Sequence, residues 1–279
     1  MKKLKNKKVL KIGALVLAIL LIIGVCLFAD SLVGNPISKA LAKNTAKKYI
    51  EQAYGDTDYE LERVTYSFKD SYYHALVSSP SSEDSDFTLL INAFGKLRYD
   101  NYEDSVTNGW NTAYRLKAEY RETVKAVFES STFPYHENVG YGELAFVEAE
   151  YKDAPEIPEY ALITNELTLD AYYNVNDLGT RAGKLTVYID DDTVSAERLA
   201  EILLGIRACF DRTGVGFYVI DCVLEAPQNE NGIFDYARVE VMDFLYTDIY
   251  EDGLVERVNA SNQAASEYYY VWGAERIDE

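Results

Sequence analysis

The sequence predicts an α+β protein: an N-terminal transmembrane helix followed by two small α+β domains. Three observations carry that expectation. Residues 12–29 form an uncharged apolar run that at ~1.5 Å per helical residue reaches about 27 Å, close to the ~30 Å of a bilayer core once Val9, Leu10 and a snorkelling Lys11 are added. Three stretches of strand character, residues 59–68, 72–78 and 87–92, lie between two segments of helical spacing. Farther on, residues 184–189 and 215–224 flank a helix with one apolar face, a strand–helix–strand unit.

The charges orient the apolar run. Lys2, Lys3, Lys5, Lys7, Lys8 and Lys11 precede it with no acidic residue among them, and such clusters stay on the cytoplasmic side. Residues 1–11 are therefore expected to be a basic cytoplasmic segment, residues 12–29 a single-pass signal-anchor in the cell membrane, and the body from residue 31 extracellular. A cleaved secretory signal is the alternative. The run exceeds an h-region of ~7–15 residues, and cutting after Ala29 would put the large Leu27 at a position that wants a small side chain. Acylation at Cys26 would likewise need a small residue where Val25 stands.

The chain carries a formal charge of −19. Such a surface excludes nucleic acid as a natural partner, because phosphate binding needs clustered Lys and Arg. Within this acidic chain, Lys39, Lys43, Lys47 and Lys48 fall in a stretch, residues 31–50, without Asp or Glu. They face anionic lipid headgroups or form a solvated helix face. Cys209 and Cys222 pair, or stay free and buried; two cysteines do not make a disulfide scaffold.

In the first domain, residues 31–130, Asn35-Pro36 reads as a helix N-cap and first helical residue, where the missing proline N–H is harmless. Ala42, Ala46, Tyr49, Ile50 and Ala53 then recur at helical spacing up to Gly55, placed for a C-terminal cap. Lys69-Asp70-Ser71 is short enough for a hairpin turn. Residues 79–86, rich in Ser, Asp and Pro, read as an exposed loop. Ala113, Leu116, Tyr120, Val124 and Val127 mark a helix over residues 111–129. Residues 131–138, with Pro134, form the expected boundary.

The second domain, residues 138–279, contains the strand–helix–strand unit. Asp190-Asp191-Asp192-Thr193 makes the turn, and Leu199, Ile202, Leu203, Ile206 and Phe210 line the helix up to Arg212. Gly214 and Gly216 bracket the return, so the two strands can run parallel. Ala237, Val239 and Val241 alternate with polar residues as one more strand, and the chain is helical from Leu254.

Chemistry is sparse. His74 lies in a predicted strand and His136 in the boundary segment; neither stands in a motif of general-base or metal-ligand type. Asp56 with Asp58, Asp190 to Asp192, and Asp248 with Glu251 and Asp252 could hold Ca²⁺ or simply cap turns; none has EF-hand spacing. The 24 tyrosines, including Tyr268, Tyr269 and Tyr270, suit either a contact surface or half-buried strands. No catalytic, cofactor-binding or metal residue is assigned, and no cofactor is expected.

Around residues 66–73 (Tyr-Ser-Phe-Lys-Asp-Ser-Tyr-Tyr), 77–80, 84–87, 111–116 and Glu119-Tyr120, the chain resembles the YfjL-like proteins of Gram-positive bacteria. The resemblance implies a single-pass membrane protein with two small outer domains and no established activity. The anchor, the acidic tyrosine-rich body and the absence of a catalytic constellation point to a non-catalytic binding or accessory module for an envelope protein or cell-wall partner. The alternatives are a carboxylate-dependent envelope enzyme acting on glycans, and a ligand-sensing accessory to a transmembrane signalling protein.

Overall fold

The computed structural model describes residues 32–227 and 237–275 and, ahead of them, residues 13, 15–21, 24, 25 and 28; of residues 268–275 it describes the backbone alone. Among the described residues no helix is long and apolar enough to cross a membrane. The transmembrane helix expected over residues 12–29 is corrected accordingly, and with it the single-pass, signal-anchor and extracellular-body readings. Residues 1–11, Cys26 and Ala29 lie outside the described residues.

The chain divides into two compact units, Met1–Asn111 and Thr112–Glu279, both of mixed α and β structure. The division falls within the first turn of the helix that the sequence pattern assigns to the first domain.

The first unit is a helix on a four-stranded antiparallel meander. Helix α1 spans Pro36–Ala53; the Asn35 side chain accepts from the Ile37 and Ser38 N–H groups, and Pro36 opens the first turn. Strands β1 (Glu60–Ser67), β2 (Tyr72–Ser79), β3 (Ser82–Ile91) and β4 (Leu97–Asp100) pair in that order. Tyr73, Ala75 and Val77 of β2 and Phe87, Leu89 and Ile91 of β3 alternate inward onto Ala42, Ala46 and Ile50 of α1. Each fully buried large side chain there contributes about 2 kcal/mol.

The exposed loop expected over residues 79–86 is instead a tight turn running into β3, with Asp84 and Ser85 buried. Polar groups hold it down. Asp58 accepts from Ser79 Oγ (2.7 Å) and Ser81 Oγ (2.6 Å), and Asn111 Nδ2 donates to the carbonyls of Asp84 and Asp86. Composition alone cannot announce such partners, which lie some twenty residues away.

The second unit is a mixed sheet with its helices on one side. Its elements are α2 (Trp110–Phe128, which begins at the end of the first unit), β5 (Glu137–Leu144), a short parallel pair β6 (Phe146–Val147) and β7 (Leu162–Ile163), α3 (Val175–Ala182), β8 (Gly183–Asp190), α4 (Ala196–Thr213), β9 (Val219–Glu225), β10 (Arg238–Leu245) and α5 (Leu254–Glu275). The four-stranded sheet has the order β10-β9-β8-β5. Strands β8 and β9 are parallel, joined through α4, as the sequence predicts. Ser195 caps α4, and Gly214 ends it at φ +71°, a conformation that suits glycine. Helix α2 comes so close to the sheet that a Cβ on Gly142 would meet Val124 and Tyr120. Helix α5 covers the outer edge of β10: Asn262 accepts from the Glu240 N–H and Ser261 from the Met242 N–H, closing an edge that would otherwise offer itself for pairing.

Candidate functional site

Strand periodicity sends Leu185, Val187 and Ile189 of β8 into the core and leaves Lys184, Thr186 and Tyr188 on the opposite face. The parallel register places Asp221 of β9 beside Thr186 on that face. In β10 the ladder shifts between Val241 and Phe244. There Asp243 adopts φ +46°, a left-handed conformation that Asp tolerates at about 1 kcal/mol or more.

These three residues meet. Lys184 Nζ stands 2.8 Å from Asp221 Oδ2 and 2.7 Å from Asp243 Oδ1. The Asp243 N–H donates to Asp221 Oδ1 at 2.7 Å, so one carboxylate fixes both the bulge and the lysine. Asp221 is only 8% exposed, which makes its pairing compulsory rather than decorative, since a buried carboxylate without partners is strongly disfavoured. Burial alone would lower the Lys184 ammonium, but its hydrogen bonds to Asp221 and Asp243 outweigh that and raise it above the ordinary lysine range. Lys184 is therefore a fixed cation, not a nucleophile or base.

The triad floors a recess of about 650 Å³ walled by Tyr141, Glu143, Tyr160 and Tyr188, with Lys117 at one side. Lys117 pairs with Glu143 at 3.3 Å. Burial and the nearby Asp243 push the Tyr160 hydroxyl up to about 12, so it stays a neutral donor. The ammonium has a third N–H beyond those given to the carboxylates, and each carboxylate has lone pairs to spare. The arrangement supplies fixed donors and acceptors beside aromatic rings.

The residues weighed from sequence lie elsewhere. His74 Nε2 stands 2.7 Å from Asp70 on the outer surface of β2, and His136 is exposed ahead of β5. Cys209 and Cys222 are free and buried; burial pushes the Cys222 thiol up to about 12, which leaves it inert.

The acidic clusters are turn structures. Asp58 clamps the two serines described above. Asp190 accepts from Asn138, and Asp191 takes two bonds from Arg198 and one from the Thr193 N–H. At the third, Arg257 threads the carbonyls of Asp248, Tyr250 and Asp252 and lies over the Tyr250 ring. Among the described residues no group of three or more His, Cys, Asp and Glu is placed to hold a metal ion.

Tyrosine divides between two uses. Tyr54, Tyr59, Tyr102 and Phe87 contact one another with every pair of ring centroids 4.9 to 5.9 Å apart, which leaves no room for a ligand among them. Tyr49 and Tyr54 donate to one oxygen of Asp100, at 2.9 and 2.7 Å. That cluster is core. Tyr141, Tyr160 and Tyr188 line the recess instead. The side chains of Tyr268, Tyr269 and Tyr270 lie outside the described residues.

Comparison with protein families matches residues 6–101 to the YfjL-like N-terminal domain and residues 119–259 to the YfjL-like C-terminal domain. A comparison with curated proteins finds no match. Among solved structures, a DUF5037 family protein from Ruminococcus gnavus is 15% identical and aligns over 79% of this chain and 98% of its own, with a TM-score of 0.24, a similarity from which neither fold nor function is inferred.

Proposed function

The chain belongs to the YfjL-like family, and from that premise we propose that it is a non-catalytic binding protein whose second unit holds a neutral, hydroxyl-rich ligand of the saccharide class. The observation that carries this reading is the Lys184 ammonium fixed between Asp221 and Asp243 on the floor of a tyrosine-walled recess. The ammonium offsets one of the two carboxylates, so the floor keeps a net charge of −1 that repels anions, while both Asp221 oxygens and Asp243 Oδ1 are already engaged by the ammonium and the Asp243 N–H. Sugar hydroxyls, each both donor and acceptor, match the remaining ammonium N–H and carboxylate lone pairs. Tyrosine rings add apolar faces with polar tips.

The competing reading is a carboxylate enzyme acting on glycans, and Asp221 and Asp243 do share one recess. Hydrolysis needs a protonated acid on one side of a glycosidic bond and a second carboxylate, or its water, on the other. Here the Lys184 ammonium occupies the space between the two carboxylates, which favours recognition over turnover.

The test is calorimetric titration of the full chain with a soluble β-1,4-linked N-acetylglucosamine oligomer, beside Lys184→Met and Tyr160→Ala, with reducing ends assayed in parallel. The proposal expects saturable binding that both substitutions weaken at least about tenfold, and no new reducing ends. Binding that ignores both substitutions, or release of shortened product, contradicts it.

A further inference from the structure

The turns β1–β2 and β3–β4 of the first unit lie at the same end of its meander, because antiparallel strands in the order β1-β2-β3-β4 return every second turn to one end. The N-terminal half of α1 crosses that end. Its Asn35 exchanges hydrogen bonds with the Tyr73 hydroxyl at the start of β2, and Thr45 Oγ1 donates to the Gly95 carbonyl in the β3–β4 turn.

What this end exposes is unusual for an acidic chain. Phe94, at the tip of the β3–β4 turn, is 89% exposed, and Phe68, at the β1–β2 turn, 62%. Ile37 and Leu41, spaced by four on one side of α1, are exposed at 72% and 44%, and Val33, just ahead of the helix, at 76%. Single exposed apolar residues are ordinary, but a cluster at one end marks a contact surface. The charge there is reversed as well. Lys39, Lys43, Lys69 and Lys96 are exposed around the apolar tips, and the acidic residue beside them, Asp70, is engaged by His74.

We propose that this end of the first unit docks on an anionic lipid surface, with Phe68, Phe94, Ile37 and Leu41 entering the interface and the four lysines meeting the headgroups. The match in charge selects the occupant: a protein partner would have to carry an acidic and apolar face, whereas an anionic lipid surface offers both components everywhere. The contact is peripheral. It invokes no spanning helix and is independent of the recess in the second unit.

The test is site-resolved, so that adsorption through any other part of the chain is not mistaken for it. The full chain carries Cys26→Ser and a spin label on Phe94→Cys; Cys209 and Cys222, both buried, are left in place. A second sample carries the label on Tyr172→Cys, a fully solvated position of the second unit. Vesicles of about 70:30 phosphatidylcholine and phosphatidylglycerol should bury the label at 94, read as oxygen over water-soluble-quencher accessibility, and leave the label at 172 in water. Replacing Lys39, Lys43, Lys69 and Lys96 by Gln should weaken the partitioning of label 94 more than about tenfold, given roughly fivefold per basic residue at such a surface. A label at 94 that stays in water, with or without adsorption of the chain, overturns the proposal. Equal burial on pure phosphatidylcholine, or burial untouched by the Gln substitutions, overturns it too.

Discussion

Tyr120 donates its hydroxyl to the carbonyl oxygen of Gly216 at 2.8 Å, tying the middle of α2 to the segment that leads into β9. The ring is fully buried, and its hydroxyl also lies where a Cβ on Gly183 would stand, while its ring edge bars one on Gly179. That side chain, together with the Gly216 and Gly179 carbonyls, leaves room only for glycine at 179, within α3, and at 183, just after it. Tyr120→Phe removes one net hydrogen bond and should destabilise the chain by about 1 kcal/mol. Gly183→Ala, which forces the ring aside, should cost about 1–3 kcal/mol. Urea denaturation of both variants checks the order, and a smaller effect from Gly183→Ala would contradict this account of the interface.

Lys184 carries the second prediction. Lys184→Met leaves Asp221 buried without its cation; discounting for the partial exposure of the lysine, the loss should be about 1–2 kcal/mol at pH 7. Its pH dependence follows from the raised ammonium. A group that holds its proton more tightly when folded gives stability that is fully present below the unfolded lysine value of about 10.4 and is lost as pH rises through the folded value. The stability gap between wild type and Lys184→Met should be constant from pH 7 to about 10 and close above it. A gap that closes near neutrality would mean that the ammonium is not what stabilises the site.

Asp191 behaves in the opposite sense. Its bonds to Arg198, then the Thr193 N–H, hold its carboxyl below the ordinary range, so its contribution is present above the unfolded value of about 3.9 and is lost as pH falls through the folded one. Asp191→Asn should flatten the acid limb of the stability curve below about pH 4 and leave the alkaline limb unchanged. Acid titration followed by circular dichroism reads both limbs.

Asp100 links the tyrosine cluster to the end of β4. Burial, then the hydrogen bonds to Asp100, raise the Tyr49 and Tyr54 hydroxyls, so neither ionises in the ordinary phenol range while the unit is folded. Absorbance at about 295 nm should show part of the tyrosine titrating only with alkaline unfolding. Asp100→Ala strands two hydroxyls and should cost about 2 kcal/mol, and it should bring that fraction down toward the ordinary range.

Elements with strong local signals were readable from the chain: Asn35-Pro36 announces α1, and the apolar face from Leu199 to Phe210 between two strands announces the β8–α4–β9 crossover. Strand β5 was hidden because Gly140 and Gly142 stand where inward side chains would advertise a strand, and they are glycines because Phe128, Val124 and Tyr120 press against them. The apolar run at residues 12–29 carried more weight as a membrane helix than the described structure supports.

The site was less legible than the fold. Lys184, Asp221 and Asp243 sit on three different strands, and a β10 irregularity brings the third into reach. One signal was available: Asp221 is a lone carboxylate inside the apolar run from Val219 to Leu224, and a charge in such a strand needs a partner. The tyrosines could not be sorted from sequence, because the same residue type fills the first unit's core and lines the second unit's recess.

The most direct test of the central claim watches the Lys184 ammonium itself. In full-length protein labelled with ¹⁵N-lysine, its Nζ resonance is assigned by its loss in Lys184→Met and followed while the N-acetylglucosamine oligomer is added. The account predicts a saturable shift of that resonance, with the ammonium still protonated and the oligomer intact at the end of the titration. A Lys184 signal that stays in place while the oligomer binds, or an oligomer that is cleaved, would contradict it.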